Sequence, residues 1–137
     1  MAEANDFNTQ IIEEFRSNDG RVGGQFEGAP LLLLTTTGAR SGQARTSPMM
    51  YRSEGGRLYV FASKAGAPTN PDWYRNLVVH PEVTVEVGAE RFDADASVVE
   101  GEERDRIYAA QAAEYPGFAE YQEKTDRVIP VVALDRR

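Results

Sequence analysis

A turn that is flanked by glycines and carries two arginines is the part of this chain with the clearest chemical potential. It spans residues 35–48 and follows a short apolar run that reads as a strand. Gly38 and Gly42 let the backbone turn sharply, so that amide and hydroxyl groups can point inward as a nest for an anion. Arg40 and Arg45 can each grip a phosphate or a carboxylate as a planar fork. The pattern predicts an anion-binding turn, although a hairpin with solvated arginines is the alternative for this turn taken alone.

The distribution of charge favours a small anionic ligand. Residues 37–80 carry six basic and two acidic side chains in a chain whose net charge is −7, so the charge of the remainder is −11. An anion is attracted to the basic window, whereas the acidic remainder repels a nucleic-acid duplex, which needs a broad basic surface. We therefore expect a small-molecule partner and no nucleic acid.

A second group of candidate residues lies around the start of a predicted helix. Ser63, Lys64 and Gly66 end a predicted strand, and the helix that follows begins near residue 70. Backbone donors and a cation meet there, and Trp73 adds a flat face. Taken singly, the lysine reads as a surface residue and the tryptophan as a core residue.

Three aromatic residues form a further candidate. Tyr115, Phe118 and Tyr121 are spaced at i, i+3 and i+6, which places them on one side of a helix or turn. Either they form a packing ridge, or the tyrosine hydroxyls face a pocket for a planar substrate.

Composition excludes several classes of site. The chain has no cysteine and one histidine, His80, which we expect at a helix end. It therefore offers no Cys-ligated metal, no thiol nucleophile and no histidine-based metal triad, and we expect no metal. Residues 1–10 lack the pattern of a signal peptide, and the longest aliphatic run is far shorter than the roughly 20 residues of a membrane span. These features predict a cytoplasmic protein.

Periodicity predicts one α+β domain over residues 1–137, in which six mostly antiparallel strands form a small barrel at about residues 29–137. The expected strands are 30–37, 45–52, 57–63, 82–87, 91–99 and 128–134, with hairpin turns near residues 55 and 88. Shorter helices are expected over residues 70–77, where Asn70 is the N-cap and Pro71 the first helical residue, and 102–113.

An amphipathic first helix is expected at about residues 5–17, with Asn5 and Asp6 as candidate N-caps. Its apolar residues could contact the inner face of a membrane peripherally, but its glutamates favour packing on the barrel. The glycine-rich residues 20–28 read as a loop, either a connector or a ligand cover.

The order and spacing of these motifs resemble the deazaflavin (coenzyme F420)-dependent nitroreductase family of actinobacteria, in its reductase group. The resemblance covers nearly the whole chain from residue 18 onward. The matching motifs are residues 18–20, 35–38, 41–43 with Arg45, 62–64, 70–71, 73–74, 76–77, 115–116, 121–122, Thr125, Arg127 and 129–130. The resemblance implies a split β-barrel of the FMN-binding, pyridoxamine-oxidase-like type, with an N-terminal helix and short inserted helices.

By position, the resemblance implies roles for individual residues. Arg40 and Arg45 hold the phosphate and glutamyl tail of coenzyme F420, and Lys64 serves the same tail. Trp73 lies near the deazaflavin ring, with Asn76 in support. Ser63, Tyr115 and Tyr121 are the expected catalytic hydrogen-bond donors. The expected cofactor-binding residues are Thr37, Gly38, Arg40, Ser41, Gly42, Arg45, Ala62, Ser63, Lys64, Ala65, Gly66, Trp73 and Asn76.

The resemblance also implies the reaction. Reduced deazaflavin delivers hydride to an electron-poor acceptor such as a quinone, a nitro-aromatic or an activated enone, and a proton follows from solvent or a tyrosine. Two alternatives stay open at this point: a split-barrel oxidoreductase that binds FMN instead, and a deazaflavin-binding protein without catalysis. The sequence leaves monomer and homodimer equally open.

Departures from the family pattern bear on specificity. Ala39 stands where an arginine is common, and Ala65 replaces a frequent glycine. In the expected substrate pocket, Met50 and Phe118 stand where the nitroimidazole-activating members have tyrosines. Because two hydroxyls are missing, we expect better handling of quinones than of bulky bicyclic nitroimidazoles.

Overall fold

The computed structural model describes the backbone of residues 2–18, 20–23, 30–66 and 69–137, and their side chains except those of residues 2–8 and 65. The strands are β1 (Leu31–Thr37), β2 (Ala44–Glu54), β3 (Arg57–Phe61), β4 (Glu82–Val87), β5 (Glu90–Val99) and β6 (Val131–Arg136). The helices are α1 (Ala2–Ser17), α2 (Asp72–Val79), α3 (Gly101–Glu114) and α4 (Gly117–Glu123), with a 3-10 turn over Lys64–Gly66.

The six strands close into an antiparallel barrel in the order β1-β2-β3-β6-β5-β4. Both predicted hairpins are confirmed, since Glu54 pairs with Arg57 and Val87 pairs with Glu90. Positive φ angles at Gly55 and Gly56 make the first of these turns possible. The α+β barrel expected from the sequence is therefore present.

Alternating side chains give each strand an inner and an outer apolar face. Along β1, Leu32 and Leu34 point into the barrel core, while Leu31 and Leu33 point outward. The same alternation puts Val60 inside. The apolar residues on the outer face are shielded from water by the helices that pack on them.

Helix α1 covers the outer face of β1. Ile11 and Phe15 are buried against Leu31 and Leu33, so these residues pack on the barrel as the sequence favoured. The helix begins at Ala2, and the N-caps expected at residues 5 and 6 are wrong because both lie inside the helix. None of the helices in the described ranges is long and apolar enough to cross a membrane.

Helices α3 and α4 cover the outer face of β3 and β6. Their buried residues Ile107, Tyr108 and Phe118 form one apolar cluster with Tyr59 and Phe61 of β3. Phe118 meets the rings of Phe61 and Tyr108 edge-on, at centroid separations of 5.4 Å and 6.3 Å. Of the three aromatic residues singled out from the sequence, Phe118 is therefore a packing residue.

Several predicted boundaries are wrong for one physical reason, which is that side chains take backbone groups that a strand or helix would use. β6 begins at Val131 and not at residue 128, because Gln122 accepts from the Ile129 amide and Arg104 donates to the Ile129 carbonyl. β3 ends at Phe61 and not at residue 63, because Arg127 binds the next two carbonyls.

The ends of α2 also differ in part from expectation. Pro71 is its N-cap and Asp72 its first residue, whereas Asn70 makes no cap and instead accepts a hydrogen bond from Arg127. His80 ends the helix, as expected, and its amide donates to the Asn76 carbonyl. Of the predicted glycine-rich loop over residues 20–28, residues 24–28 lie outside the described residues.

Candidate functional site

A cavity of 840 Å³ lies between the β1–β2 turn, the start of α2 and one face of α1. The residues that line it are Thr9, Ile12, Gly38, Ala39, Arg40, Ser41, Ala44, Arg45, Thr46, Ser47, Asp72, Trp73, Arg75 and Asn76. The structure therefore brings six residues of the sequence-derived set around one space, from two segments more than 25 positions apart: Gly38, Arg40, Ser41, Arg45, Trp73 and Asn76.

The β1–β2 turn is closed by its own hydrogen bonds. The Gly38 amide donates to the Gln43 carbonyl at 2.8 Å, the Gly42 amide donates to the Gly38 carbonyl at 2.9 Å, and the Gln43 amide donates to the Ser41 hydroxyl at 3.2 Å. A Cβ at position 38 would collide with that hydroxyl, so a larger residue there would force the Ser41 side chain to move. Because these amides are used inside the turn, the inward-facing nest of amides is smaller than the sequence indicated, and the side chains carry the anion-binding capacity.

Asn76 fixes the turn to α2. Its side-chain oxygen accepts from the Ala39 amide at 3.0 Å, and its side-chain nitrogen donates to the Thr36 hydroxyl at 3.1 Å. Asn76 is only 9% exposed, so its bond to Thr36 is buried and its bond to Ala39, at the cavity lining, is partly shielded from water. The supporting role implied for this residue has a concrete geometry here, because one side chain holds the end of β1 and the start of the turn against the helix.

The lining is electropositive in an otherwise acidic chain. It contains the guanidiniums of Arg40, Arg45 and Arg75 and one carboxylate, Asp72, which lies 3.7 Å from Arg75. Arg40 and Arg45 are exposed and have no ion-pair partner among the described residues. Two guanidiniums are thus available to a phosphate or carboxylate.

The strand end after β3 forms a second group, which does not line the cavity. It holds Ala62, Ser63, Lys64 and Gly66, and Thr37 and Gly42 of the first segment also fall outside the lining. The Lys64 ammonium donates to the Thr69 hydroxyl at 3.3 Å. The side chain at the remaining predicted position, Ala65, is not described.

Arg127 holds this strand end in place, a role that the sequence did not assign. Its guanidinium donates to the carbonyls of Ala62 and Ser63 at 3.0 Å and 2.7 Å and to the Asn70 side-chain oxygen at 2.8 Å. Burial lowers the pKa of the Arg127 guanidinium. Arg127 was visible in the sequence only as part of a family motif, and nothing local to it reveals partners more than 50 positions away.

A short network of hydrogen bonds links Arg127 to Gln122 and Arg104. The Gln122 side chain donates to the Arg127 carbonyl at 2.7 Å and accepts from Arg104 at 2.7 Å. Arg104 in turn lies 4.6 Å from the centre of the Tyr108 ring. The motif residues 121–130 therefore connect α3 and α4 to the end of β3.

The predicted acceptor-side residues lie around the α3/α4 cluster. Tyr115 and Tyr121 are half-buried and pack against it with Met50, whereas Phe118 is buried within it. A Cβ at Gly66 would lie 2.8 Å from the Tyr121 carbonyl oxygen, so the strand end after β3 and α4 are in close contact. Ser63 and Tyr121 are thereby attached to neighbouring segments, separate from the cavity lining.

Tyr108 is a buried tyrosine that the sequence did not single out. Its hydroxyl donates to the Phe118 carbonyl at 2.6 Å, and burial raises its pKa to about 12. It therefore stays protonated at neutral pH and acts as a packing residue with one satisfied hydrogen bond. The described residues contain no group of three or more His, Cys, Asp or Glu side chains placed to hold a metal ion.

Known proteins resemble this chain in sequence and in fold. A sequence profile described as F420H(2)-dependent quinone reductase matches residues 9–136. An F420H(2)-dependent quinone reductase of Mycobacterium tuberculosis (strain ATCC 25618 / H37Rv) is 39% identical over 127 residues, which is 90% of this chain and 85% of that protein.

Solved structures agree. One described as F420-H2 dependent reductase (FDR-A) is 44% identical, covers 77% of this chain and 94% of its own, and superimposes with a TM-score of 0.71. Another, described as a domain-swapped dimer, is 39% identical over 98% of both chains with a TM-score of 0.73. The match over nearly the full length, together with the antiparallel barrel, shows that this chain belongs to the F420H(2)-dependent quinone reductase family.

Proposed function

We propose that this chain reduces quinones with F420H2, and that the 840 Å³ cavity holds the anionic tail of the cofactor. The observation that carries the proposal is the pair of unpaired guanidiniums, Arg40 and Arg45, on the lining of this cavity in a chain whose net charge is −7. A tail with phosphate and carboxylate groups has the complementary charge.

The donor set fits such a tail. Arg40 lies within the turn and Arg45 near the start of β2, so each can face a different anionic group. Ser41, Thr46 and Ser47 add hydroxyl groups to the same lining. A ligand with several separated negative charges therefore matches this surface better than a ligand with one.

Trp73 and Asn76 hold the site in a defined geometry. Trp73 lines the cavity and also packs against the barrel core, which fixes its ring plane as a stacking surface for a flat heterocycle. Asn76 holds the turn in register with this ring through its two hydrogen bonds. In this proposal the β1–β2 turn binds the tail of the cofactor and α2 binds its ring, and the Asn76 side chain links the turn to the helix.

The reduced cofactor, when bound, supplies a hydride equivalent, so the protein itself needs no nucleophile or metal. The chain's own residues bind the acceptor and stabilise charge on its oxygens. We assign this role to Ser63, Tyr115 and Tyr121, which can each donate a hydrogen bond. Arg127 positions Ser63 by holding its carbonyl.

The acceptor range extends in the proposal to nitro-aromatics and activated enones, because each places developing negative charge on oxygens within reach of hydroxyl donors. Met50, which packs against the α3/α4 cluster, and Phe118, which is buried within it, are the apolar residues that the proposal places on the acceptor side. Their lack of hydroxyls favours quinones over bicyclic nitroimidazoles. Assays of both acceptor classes with the Met50→Tyr and Phe118→Tyr variants test that preference; if neither variant gains nitroimidazole turnover, the preference has another cause.

The test of the cofactor assignment is a titration of the protein with F420 and with FMN, followed by Trp73 fluorescence. We expect micromolar quenching by F420, weak response to FMN, and about a tenfold weaker F420 affinity in Arg40→Gln and Arg45→Gln, since each removes a charge-assisted contact. The matched control is Arg137→Gln, which removes an exposed arginine paired with Asp95 outside the cavity lining.

Other outcomes of the titration and of the turnover assays would support the alternative functions. Preference for FMN assigns the chain to FMN chemistry, and tight F420 binding without turnover of any acceptor leaves a binding protein. Equal losses in Arg137→Gln and Arg45→Gln would contradict the placement of the tail.

We further propose that the chain forms a homodimer, as the domain-swapped relative does. The exposed side chains of Val98 and Val128 border a second, smaller cavity and offer apolar surface to a partner copy. Light scattering after size exclusion gives the molar mass directly, and a monomer at micromolar concentration would contradict this.

A further inference from the structure

The start of α2 contributes four residues to the lining of the 840 Å³ cavity: Asp72, Trp73, Arg75 and Asn76. An α-helix turns by about 100° per residue, so Trp73 and Arg75 lie about 160° apart around the helix axis, with the other two between them. Asn76 is bonded from this middle position to the Ala39 amide of the β1–β2 turn. The helix face that meets the cavity therefore carries a flat ring at one edge and a cation at the other.

Arg75 makes only a weak contact inside the protein. Among the described residues its guanidinium has one ion-pair partner, Asp72, and the 3.7 Å between the Arg75 nitrogen and the Asp72 oxygen is longer than a hydrogen bond. The two side chains are 60% and 91% exposed, so water screens the contact and it contributes little to stability. The Arg75 guanidinium is therefore available to an anion that enters the cavity.

The three arginines of the lining stand on different elements of the fold. Arg40 lies within the β1–β2 turn, Arg45 lies near the start of β2, and Arg75 lies on α2. Cations that are held apart in this way favour a ligand whose negative charges are also held apart. With the deazaflavin ring stacked on Trp73, as proposed above, Arg75 is at the edge of α2 farthest from that ring.

We propose that Arg75 is a third anion-binding residue of this site, and that it binds the glutamyl carboxylates at the end of the F420 tail. The inference rests on the proposed function and adds to it a residue that selects a cofactor by the charge of its tail. A carboxylate matches the planar fork of a guanidinium. Asp72 is the one carboxylate among the residues that line the cavity, and it repels the same groups. Arg75 and Asp72 thus act in opposite directions on the preference for a charged tail.

The experiment compares two ligands in titrations followed by Trp73 fluorescence: F420 with its glutamyl tail, and a truncated F420 that keeps the phosphate and lacks the glutamates. In Arg75→Gln we expect about fivefold weaker binding of F420 and a change of less than about twofold for the truncated cofactor. Arg75→Lys keeps the charge and should recover most of the F420 affinity. Asp72→Asn removes the repulsion and should strengthen F420 binding about twofold. The loss in Arg75→Gln should shrink as the salt is raised from about 0.05 M to about 0.5 M, because salt screens the contact.

Arg137→Gln is the matched control, because it changes the net charge by the same amount at an exposed arginine outside the cavity lining. It should leave both affinities unchanged. Equal losses for the two ligands in Arg75→Gln, or no loss for F420, would overturn the inference and leave the proposed function in place; weaker F420 binding in Asp72→Asn would also overturn it. If the wild-type protein does not bind F420, or if Arg40→Gln and Arg45→Gln change neither affinity, the proposed placement of the tail is wrong, and the inference with it.

Discussion

Removing the side-chain amide of Asn76 should weaken both the fold and cofactor binding, by amounts that the structure lets us calculate. Asn76→Ala deletes the partly buried bond to the Ala39 amide and the buried bond to the Thr36 hydroxyl. At about 1 kcal/mol for each neutral hydrogen bond, the loss is about 2 kcal/mol in the free energy of unfolding. For 137 residues the entropy of unfolding is about 0.29 kcal/mol/K, so the midpoint should fall by about 7 °C.

Asn76→Asp separates the structural effect from the electrostatic one. Its carboxylate can accept from the Ala39 amide and, after rotation of the hydroxyl hydrogen, from Thr36, so both contacts survive. The midpoint should therefore fall less than in Asn76→Ala. The new negative charge faces the cavity, however, so binding of the anionic F420 tail should weaken more than in Asn76→Ala, and more steeply at low salt.

The assay combines thermal unfolding, followed by circular dichroism, with F420 titration followed by Trp73 fluorescence. An Asn76→Ala midpoint within about 2 °C of wild type would refute the assignment of two stabilising hydrogen bonds to this side chain. If Asn76→Asp bound F420 as tightly as Asn76→Ala, the tail would lie elsewhere than in this cavity.

Three further predictions concern the barrel and the strand end after β3. Gly66→Ala should destabilise the fold more than Gly55→Ala in chemical unfolding: both residues have positive φ, but only at Gly66 would the new Cβ meet a backbone atom, the Tyr121 carbonyl oxygen at 2.8 Å. Arg127→Lys should lower kcat for quinones by about tenfold and leave F420 affinity unchanged, because a lysine cannot hold two carbonyls as a fork, and equal losses in both quantities would contradict this. Arg16 bonds to Glu86 and lowers the pKa of that carboxyl, so the ion pair stabilises the fold fully above a pH of about 4.5, and this stabilisation is lost as the pH falls through the lowered pKa. In Glu86→Gln, the free energy of unfolding measured with urea should therefore depend less on pH in that acid range.

Local patterns in the chain were sufficient for the barrel and for the basic turn that lines the cavity. Alternation and glycine turns act over two to ten residues, which is why Glu82–Val87 and both hairpins were predicted correctly. The ends of β3 and β6 that were wrong depend on side chains from distant positions, such as Arg127 on the carbonyls after β3. No periodicity along the chain reports a hydrogen bond of that kind.

The sequence by itself determined that an acidic chain has one window, residues 37–80, in which basic side chains outnumber acidic ones, and that this window contains a glycine-flanked turn. Those properties are fixed by residue type and by short-range geometry. Only the tertiary structure decided which cations face the cavity, because closing the barrel puts Arg40 and Arg45 on its lining and leaves Lys64 outside it. The same closure buries Gln111, whose side-chain amide has no hydrogen-bond partner among the described residues, since packing α3 on the barrel leaves this side chain no access to water.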